Sequence, residues 1–424
     1  MKKFLKFLGI LILILAIIAA VFYYKNNEEL PTGVQGKEAD ALAQKMLTAL
    51  NQKYLAETEV IEWSFRGEHF YKWYHQKDVV MVSWNDIQVE LHTKEPSKSK
   101  VLKSKNKAEN KKHIEQATNF FNNDSFWLMA PYKVMDPGVE RRLVQYNDKA
   151  ALLVTYTSGG STPGDSYLWI LDKNGMPTEY KMWVGIIPLG GVSATWSDWT
   201  NTDTGIKLPT KHSLSLFGMQ LDLGKVKAYN EKADALAHKI LKTIKHDAYT
   251  KTRYIEWSFR GARFFKWDKQ EHIVEVKWDE NTVILHPNEL EKSRLFINET
   301  EVVNNKESTI QRALDIFNND SFWLVAPHKL FEDGIIRTLE MVDGEPRLKV
   351  KYTTGGSTPG DSYVWIVNED YLPIRFKMYV PSMRMNGLEA TWDEWITTES
   401  GALLPQNHSI GNRQLSMGTV KAYN

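Results

Sequence analysis

The heptapeptide Ile61-Glu-Trp-Ser-Phe-Arg-Gly67 decides the organisation of this chain, because it recurs unchanged as Ile255 to Gly261. Three other segments recur at nearly the same spacing: Phe121 to Leu128 as Phe317 to Leu324, Gly159 to Tyr167 as Gly355 to Tyr363, and Val226 to Asn230 as Val420 to Asn424. The period is far longer than the roughly 20 to 50 residues of solenoid repeats. We therefore predict two tandem copies of one domain, residues 37–230 and 231–424.

Composition excludes several classes of protein. Lys and Arg (53 residues) nearly balance Asp and Glu (52 residues), so no net charge favours a nucleic-acid partner. The chain of 424 residues contains no cysteine, which rules out disulfides, thiolate metal sites, cysteine nucleophiles and N-terminal lipidation on cysteine. We expect no nucleic-acid partner and no cofactor.

The N-terminus has the pattern of a membrane anchor. Residues from Phe7 to Tyr24 carry no charge, and as a helix they would span roughly 27 Å, close to the thickness of a bilayer core. A cleavable signal peptide is the alternative, but Ile18-Ala19-Ala20 has a bulky residue at the upstream position of a cleavage site. We expect a signal-anchor transmembrane helix over 1–25 and a spacer over 26–36.

Charges flanking this segment predict its orientation. Three lysines precede the apolar run, at positions 2, 3 and 6, whereas Lys25 alone follows it closely. The positive-inside rule then places the N-terminus in the cytoplasm and both domains in the periplasm or outside the cell. We expect a single-pass membrane protein whose partner is the lipid bilayer.

Hydrophobic periodicity within each copy predicts a few helices and many strands. A helical pattern opens copy 1 at Ala39, Leu42, Ala43, Met46 and Leu50, and a second helix is expected around 108–123 and 304–319. Alternation as in Val80, Val82 and Trp84 predicts strands, and the rest of each copy has the pattern of an antiparallel meander. The fold class is mainly β (α+β), with two tandem, strongly curved antiparallel sheets or incomplete β-barrels, each covered by helices.

Motifs shared by both copies are similar to those of a known fold. They are Trp63-Ser-Phe-Arg-Gly67, Phe126-Trp127-Leu128 with Ala130-Pro131 and Lys133, Thr162-Pro-Gly-Asp165 with Tyr167, and Asp198-Trp199, which is Glu394-Trp395 in copy 2. The order of elements resembles the periplasmic lipoprotein-localisation factors (LolA/LolB-like), in which an incomplete antiparallel barrel shelters acyl chains beneath helices. The motifs resemble more closely an uncharacterised family of exported bacterial proteins with that fold. A tandem, anchored chain departs from the family's single-domain pattern.

Aromatic side chains supply most of the candidate site. The chain has 15 tryptophans, and large rings either fill a barrel interior or line an apolar cavity for a lipid or acyl chain. The repeated Ser-Thr-Pro-Gly-Asp loop (161–165, 357–361) is either a type II turn or a loop that touches ligand. The candidate ligand-binding residues are Trp63, Trp84, Trp127, Asp165 and Tyr167, with Trp257, Trp278, Trp323, Asp361 and Tyr363.

Charged and titratable residues indicate a binding site less clearly than the aromatic residues do. Arg66 and Arg260 are candidates for contact with an anionic headgroup, although surface ion pairs near Glu62 and Glu256 are the alternative. The paired histidines His92/His286 and His212/His408 show no metal-ligand spacing, and we expect no metal site. Residues 94–112 contain eight lysines and two glutamates, which is typical of a solvated loop or of contact with anionic lipid.

The sequence favours a non-catalytic function. We expect a membrane-anchored, extracytoplasmic protein that binds a lipid, a lipoprotein or another apolar ligand of the cell envelope. An envelope scaffold that binds proteins through its sheet edges is the alternative, and an exported hydrolase is the second alternative.

Overall fold

In the computed structural model the chain forms two units, Met1–Tyr229 and Asn230–Asn424. The structure describes residues 2–158, 163–215, 218–354 and 359–424, and the side chains of residues 2, 3, 5, 6, 9 and 19 are outside the described set. The helices are α1 (Lys2–Asn26), α2 (Lys37–Ala49), α3 (Asn110–Met129), α4 (Glu231–Thr243), α5 (His246–Lys251) and α6 (Glu307–Val325).

Helix α1 exposes large apolar side chains along its length, from Phe4 to Tyr24. Among the residues that the structure describes, however, no helix is both long and apolar enough to cross a membrane. The transmembrane span predicted over 1–25 is therefore unsupported by the structure.

In its described residues, copy 1 consists of antiparallel strands in two main sheets and two small ones. Its strands are β1 (Val60–Phe65), β2 (His69–Tyr74), β3 (Val79–Trp84), β4 (Ile87–His92), β5 (Lys100–Lys103), β6 (Val139–Tyr146), β7 (Lys149–Tyr156), β8 (Ser166–Leu171), β9 (Pro177–Trp183), β10 (Val192–Thr195), β11 (Thr200–Asn201), β12 (Lys207–Leu208), β13 (Lys211–Ser213), β14 (Gln220–Asp222) and β15 (Lys227–Tyr229). The first sheet has the order β15-β1-β2-β3-β4-β5, and the second has the order β10-β9-β8-β7-β6. The pairs β11–β12 and β13–β14 form the small sheets.

Copy 2 repeats this pattern. Its strands are β16 (Tyr254–Phe259), β17 (Arg263–Asp268), β18 (Ile273–Trp278), β19 (Asn281–Leu285), β20 (Arg294–Ile297), β21 (Thr300–Val302), β22 (Ile335–Val342), β23 (Glu345–Tyr352), β24 (Ser362–Val367), β25 (Pro373–Val380), β26 (Met385–Thr391), β27 (Asp393–Thr397), β28 (Leu403–Ile410), β29 (Arg413–Ser416) and β30 (Lys421–Tyr423). Its sheets have the orders β21-β20-β19-β18-β17-β16-β30, β22-β23-β24-β25-β26 and β27-β28-β29. The tandem repeat and the mainly β class are thus confirmed.

The single curved sheet predicted for each copy is divided in the structure. Helix α3 lies between β5 and β6 in the chain, so that β6 begins a new sheet instead of extending the first one. In the described residues of copy 1, the two main sheets share no strand ladder, and no closed barrel forms. Single links remain between neighbouring segments, such as the Ser64 amide donating to the Leu223 carbonyl at 2.9 Å and an isolated bridge between Ala194 and Leu214.

Helices α3 and α6 continue further than the pattern predicts. Each runs through the repeated Asn-Asn-Asp-Ser-Phe-Trp segment and ends where a 3-10 turn containing Pro131 or Pro327 begins. Proline lacks the N–H donor that would continue the helical hydrogen-bond ladder, which explains the stop. The extension places Phe126 and Trp127 on α3 rather than in a following loop.

The segment predicted as a spacer lies against copy 1. We call residues 27–35 the strap. Val34 pairs with Leu143 of β6 through two backbone hydrogen bonds of 2.9 and 2.8 Å. At the other end of the strap, the indole of Trp183 donates to the carbonyl of Glu28 at 2.8 Å. The chain that follows α1 is thereby fixed across the second sheet.

An apolar cluster of copy 1 lies beside the strap. The cluster consists of the buried side chains Val144, Ala151, Leu153 and Leu168, and Gly33 of the strap lies directly beside Val144. The corresponding positions of copy 2 are Glu340, Arg347, Lys349 and Val364. Lys349 and Glu340 form an ion pair there at 2.6 Å. Copy 2 therefore presents a charged face where copy 1 presents an apolar face crossed by the strap.

Candidate functional site

The first sheet of each copy carries an aromatic cluster on its helix-covered face. In copy 1, Trp63 stacks on Tyr71 with ring centroids 4.5 Å apart, and the Phe121 ring of α3 contacts both. Trp84 lies edge-on to Phe120 at 5.4 Å. The predicted site residues Trp63 and Trp84 are thus buried beneath α3. In copy 2, the equivalent Trp257 and Trp278 are buried in the core of that copy.

A buried carboxylate at the same position of each copy joins the long helix to the first sheet. In copy 1, the side chain of Asp124 on α3 is almost fully buried, and its Oδ2 lies 2.7 Å from His69 Nδ1 and 2.5 Å from the Tyr71 hydroxyl. Burial raises the pKa of Tyr71, and the adjacent Asp124 carboxylate raises it further. Tyr71 is therefore a neutral donor to this carboxylate.

Copy 2 holds the equivalent carboxylate differently. Arg263 forms two contacts with the fully buried Asp320 of α6, Nε to Oδ2 at 2.6 Å and Nη2 to Oδ1 at 2.8 Å. Phe265 replaces Tyr71, so no hydroxyl is available there. Burial raises the pKa of Asp320, and Asn319 and Arg263 oppose this rise. The His-Asp-Tyr group of copy 1 is consequently not a repeated chemical site.

This carboxylate was missed by sequence reasoning, although it belongs to a repeated motif. The signal that could have revealed it is an acidic residue on the apolar face of a helix, in Phe-Asn-Asn-Asp-Ser-Phe-Trp, in both copies. Buried charges in proteins are normally paired. A search for a cation on the neighbouring strand would have found Arg263 in copy 2.

A second aromatic cluster lies where the long helix meets the second sheet. In copy 1, Tyr167 contacts Phe126 of α3 at 4.6 Å and stacks on Trp169 at 5.8 Å. Trp169 in turn contacts Trp196 at 5.3 Å. Trp127, which is partly exposed, flanks this cluster through Tyr180 at 6.4 Å.

Copy 2 builds the same cluster with small changes. Tyr363 contacts Phe322 at 4.5 Å, and Trp365 stacks on Trp392 at 5.3 Å. Trp257, Trp278, Trp323 and Tyr363 belong to one contiguous core there. The structure thus brings the predicted aromatic residues of copy 2 together as a packed interior.

Three tryptophans lack a hydrogen-bond acceptor at the same positions in both copies. The indole N–H groups concerned are buried, and they belong to Trp63, Trp169 and Trp196 and to their counterparts Trp257, Trp365 and Trp392. By contrast, the partly exposed indole of Trp199 donates to the Pro177 carbonyl at 3.1 Å, and that of Trp395 donates to the Pro373 carbonyl at 3.0 Å. A buried donor without an acceptor costs about 1–3 kcal/mol. The same three positions carry such a donor in both copies.

A buried histidine borders this interior in each copy. His212 is fully buried, with Nδ1 2.9 Å from the Thr195 carbonyl and Nε2 2.7 Å from the Trp127 carbonyl. Burial lowers the pKa of His212 to about 4, although the two carbonyl groups oppose this shift. Burial likewise lowers the pKa of His408 to about 4. Within the described residues, no group of three His, Asp or Glu side chains is placed to hold a metal ion.

The repeated Pro-Gly-Asp loop is only partly described, since residues 159–162 and 355–358 lie outside the described ranges. Gly164 and Gly360 have φ angles of 102° and 109°, in the region that a type II turn requires at its third residue. The buried Asp165 side chain accepts a hydrogen bond from the Gly185 amide at 3.0 Å. In copy 2, the Tyr363 hydroxyl lies 3.4 Å from Asp361. These contacts give the two aspartates a structural role at the ends of the aromatic clusters.

The two candidate arginines lie on the surface, away from the aromatic interior. Arg66 and Arg260 are exposed in the turns that follow β1 and β16, with φ angles of 55° and 57°, so strand alternation does not orient them. Near Arg66, Glu62 lies 3.8 Å from Lys72 and accepts a hydrogen bond from the Tyr229 hydroxyl. Arg66 borders an open hollow of about 470 Å³, lined also by Ser64, Gly67, Gln220, Asp222 and Gly224.

The lysine-rich segment 94–112 is more ordered than a loop. It contains the edge strand β5, and several of its lysines pair with acidic residues, including Lys100 with Glu90 at 3.3 Å and Lys105 with Asp86 at 2.5 Å. These pairs reduce the positive charge that a lipid surface would meet.

Comparison with known proteins adds little to this geometry. No model of a known protein family matches the chain, and no curated protein matches it. The crystal structure of a DUF1329 family protein from Desulfovibrio piger is similar over 91% of this chain and 93% of its own, at 7% sequence identity and a TM-score of 0.15. A likeness at this TM-score supports no argument about fold or function, and the resemblance to the LolA/LolB-like fold stays a hypothesis.

Proposed function

We propose that each copy binds an apolar envelope ligand that carries hydrogen-bond acceptors, such as the ester or amide carbonyls of a lipid or a lipoprotein acyl chain. In this proposal the sheets of each copy act as a LolA/LolB-like incomplete barrel, and the ligand lies between them and the long helix, α3 or α6. Binding is non-catalytic, and α1 anchors the protein in a membrane with both copies outside the cytoplasm.

The observation that carries the proposal is the set of unpaired indole N–H groups. Trp169 and Trp196 are buried among rings and have no acceptor, and the same holds for Trp365 and Trp392 in copy 2. Aliphatic chains pack well against aromatic rings, but they offer no acceptor to an indole. A ligand that combines alkyl chains with carbonyl oxygens satisfies both requirements.

Entry of such a ligand requires movement of the long helix. The rings of the second cluster are in direct contact, for example Trp196 with Tyr180 at 5.1 Å, so the ligand must displace side chains that now pack together. Helix α3 is held to the first sheet through Asp124, and its Trp127 carbonyl contacts His212. Release of these contacts would open the interior between α3 and the second sheet.

The test is lipid retention by the full-length protein, purified in a detergent without acyl esters. Bound lipids are extracted with organic solvent and counted per chain by mass spectrometry. The test variant carries Trp196→Phe and Trp392→Phe, which removes one unpaired indole donor from the second aromatic cluster of each copy and keeps aromatic rings. The control carries Trp199→Phe and Trp395→Phe, whose indoles already bond to backbone carbonyls.

We expect the wild-type protein and the control to retain the same lipid or acylated peptide, and the test variant to lose it. Lipid held only around α1 would be equal in all three proteins, because α1 is unchanged. Equal retention by the test variant and the control would overturn the proposal.

A scaffold that binds proteins is the second candidate, and one observation favours it. Phe70 on β2 and Phe264 on β17 occupy equivalent positions, and each is 51% exposed. Exposed aromatic residues are common at protein interfaces. If the lipid test fails, replacing both phenylalanines by serine and measuring co-purifying envelope proteins would examine this function.

A further inference from the structure

The apolar loop, residues 184–191, is the connection between β9 and β10 in copy 1. Its sequence, Val-Gly-Ile-Ile-Pro-Leu-Gly-Gly, contains no charged or polar side chain. Ile186 is 74% exposed, and Pro188 is also exposed, whereas Val184 and Leu189 at either end are buried. An isoleucine that is this exposed contributes nothing to the core of its own domain.

The loop is hydrogen-bonded to the residues that directly follow α1. The Glu28 amide donates to the Gly190 carbonyl at 3.0 Å, and the Gly190 amide donates to the Asn27 side-chain carbonyl at 2.8 Å. Asn27 in turn donates from its amide to the Tyr23 carbonyl at 2.8 Å, which continues the hydrogen-bond pattern of α1. No flexible linker therefore separates the end of α1 from the loop.

Two glycines make this close approach possible. A Cβ on Gly190 would collide with the Glu28 carbonyl oxygen and the Trp183 indole, and a Cβ on Gly191 would lie 2.6 Å from Glu28 Cβ. Nearby, the Glu28 carboxylate is neutralised by Lys181, whose Nζ lies 2.5 and 2.7 Å from its oxygens. Where the strap meets the loop, the ion pair of Glu28 and Lys181 thus lies beside the apolar tip.

The equivalent loop of copy 2 has a different character. Residues 380–387 read Val-Pro-Ser-Met-Arg-Met-Asn-Gly, with a serine, an arginine and an asparagine where the apolar loop has none. Copy 2 has no α1 before it, because α4 follows β15 directly. Only the copy that is joined to α1 has the uncharged loop.

We propose that the apolar loop inserts into the interfacial region of the lipid bilayer beside α1, as a second membrane contact of copy 1. This inference rests on the proposed membrane anchoring of α1. If Tyr23 and Tyr24 lie at the membrane interface, as aromatic residues at the ends of membrane helices do, then Asn27 and Gly190 lie at the bilayer surface. Four residues of chain span at most about 14 Å, so Ile186 stays close to that surface.

Burial of the tip in the interface would fix copy 1 against the membrane at two points. One point is α1 and the other is the loop, and Asn27 and Glu28 link the two through their hydrogen bonds with Gly190. The partner is the lipid interface itself, since an uncharged aliphatic loop with a proline offers hydrophobic surface and no group for recognition of a headgroup.

The absence of cysteine allows a direct test on the full-length chain. Ile186→Cys introduces one thiol at the exposed tip, which is labelled with an environment-sensitive fluorophore. The protein is reconstituted into vesicles of phosphatidylcholine and phosphatidylglycerol, with or without lipids that carry a quenching nitroxide on the acyl chain. The nitroxide is placed near the headgroup for the loop labels and near the end of the chain for the label in α1. Met383→Cys, in the equivalent and also exposed loop of copy 2, is the matched control. Ile14→Cys in α1 reports on the anchor.

We expect the label at position 186 to shift its emission to the blue in vesicles and to lose most of its intensity with the nitroxide lipid, while the label at 383 stays water-like. Quenching at 14 without quenching at 186 would overturn the loop proposal and leave the anchor in place. A lack of quenching at both 14 and 186 would overturn both. Equal quenching at 186 and 383 would also refute the inference, because it would show general adsorption rather than insertion of this loop.

Discussion

Replacing Arg263 by alanine should destabilise copy 2 by about 3–5 kcal/mol, the usual cost of leaving a buried carboxylate without its cation. Asp320 is fully buried and receives two contacts from Arg263, so the truncation leaves only the Asn319 amide at 2.8 Å as a side-chain partner. The matched change in copy 1, His69→Ala, should cost about 1–3 kcal/mol. The reason is that the Tyr71 hydroxyl still donates to Asp124 at 2.5 Å.

Hydrogen exchange measured by mass spectrometry on the full-length protein in detergent distinguishes the two copies. A factor of ten in the opening equilibrium corresponds to about 1.4 kcal/mol. Amides of α6 should therefore exchange roughly 10²- to 4 × 10³-fold faster in Arg263→Ala, while those of α3 keep their wild-type rates. In His69→Ala the effect should be smaller and confined to copy 1.

The pH dependence of the destabilisation tests whether the unpaired Asp320 carboxylate causes it. Burial raises the pKa of Asp320 in the intact protein, and loss of Arg263 raises it further. A carboxyl whose pKa is raised in the folded state is destabilising above that pKa, and the penalty disappears as the pH falls through it. The difference between Arg263→Ala and the wild-type protein should therefore be large at pH 7 and shrink in acid.

Two results would refute this reasoning. One is an Arg263→Ala protein whose α6 exchanges at the wild-type rate, since the buried carboxylate would then need no cation. The other concerns the double variant Arg263→Met with Asp320→Leu, which removes both charges and should recover most of the lost stability. If the double variant is as unstable as Arg263→Ala, lost packing rather than an unpaired charge is the cause.

The remaining predictions concern acid stability and the strap. The pKa values of the buried His212 and His408 are about 4, below the ordinary value near 6.5. The two histidines therefore contribute fully to stability above pH 6.5, and each loses roughly 3 kcal/mol of that contribution as the pH falls to about 4. The urea midpoint should consequently fall less between pH 7 and pH 4.5 in a His212→Gln, His408→Gln variant than in the wild-type protein, and an equal fall would contradict the assignment. Gly190→Val should displace the strap and speed trypsin cleavage after Lys25, because its Cβ would collide with the Glu28 carbonyl, whereas Gly185→Val, which meets no atom within 4 Å, should not. Equal cleavage rates in the two glycine variants would show that the strap does not depend on this approach.

Much of the fold follows from local patterns that the sequence displays directly. The repeat of Ile61 to Gly67 predicts the duplication, and alternation such as Val80, Val82 and Trp84 predicts the antiparallel strands that the structure contains. These features depend on residues close together in the chain, so backbone geometry and hydrophobic periodicity suffice to find them.

One difference between the copies is visible in the sequence, but only the structure explains it. Residues 151–154 of β7 are apolar without interruption, whereas the corresponding strand of copy 2 alternates between charged and apolar residues. A continuous apolar strand indicates burial on both faces. The second face of β7 is covered by the strap, which lies more than a hundred residues earlier in the chain.

The pairing of buried polar groups was decided by tertiary structure alone. Asp124 meets His69, whereas Asp320 meets Arg263, and Trp196 and Trp392 lack acceptors while Trp199 and Trp395 have them. Periodicity assigns a side chain to a face of a strand or a helix, but it does not specify which distant atom that side chain reaches. The sequence by itself therefore determined the duplication, the strand-rich class and the aromatic interior. The tertiary structure decided which donors are satisfied, because hydrogen bonds and ion pairs depend on distances of a few tenths of an ångström between segments that are far apart in the chain.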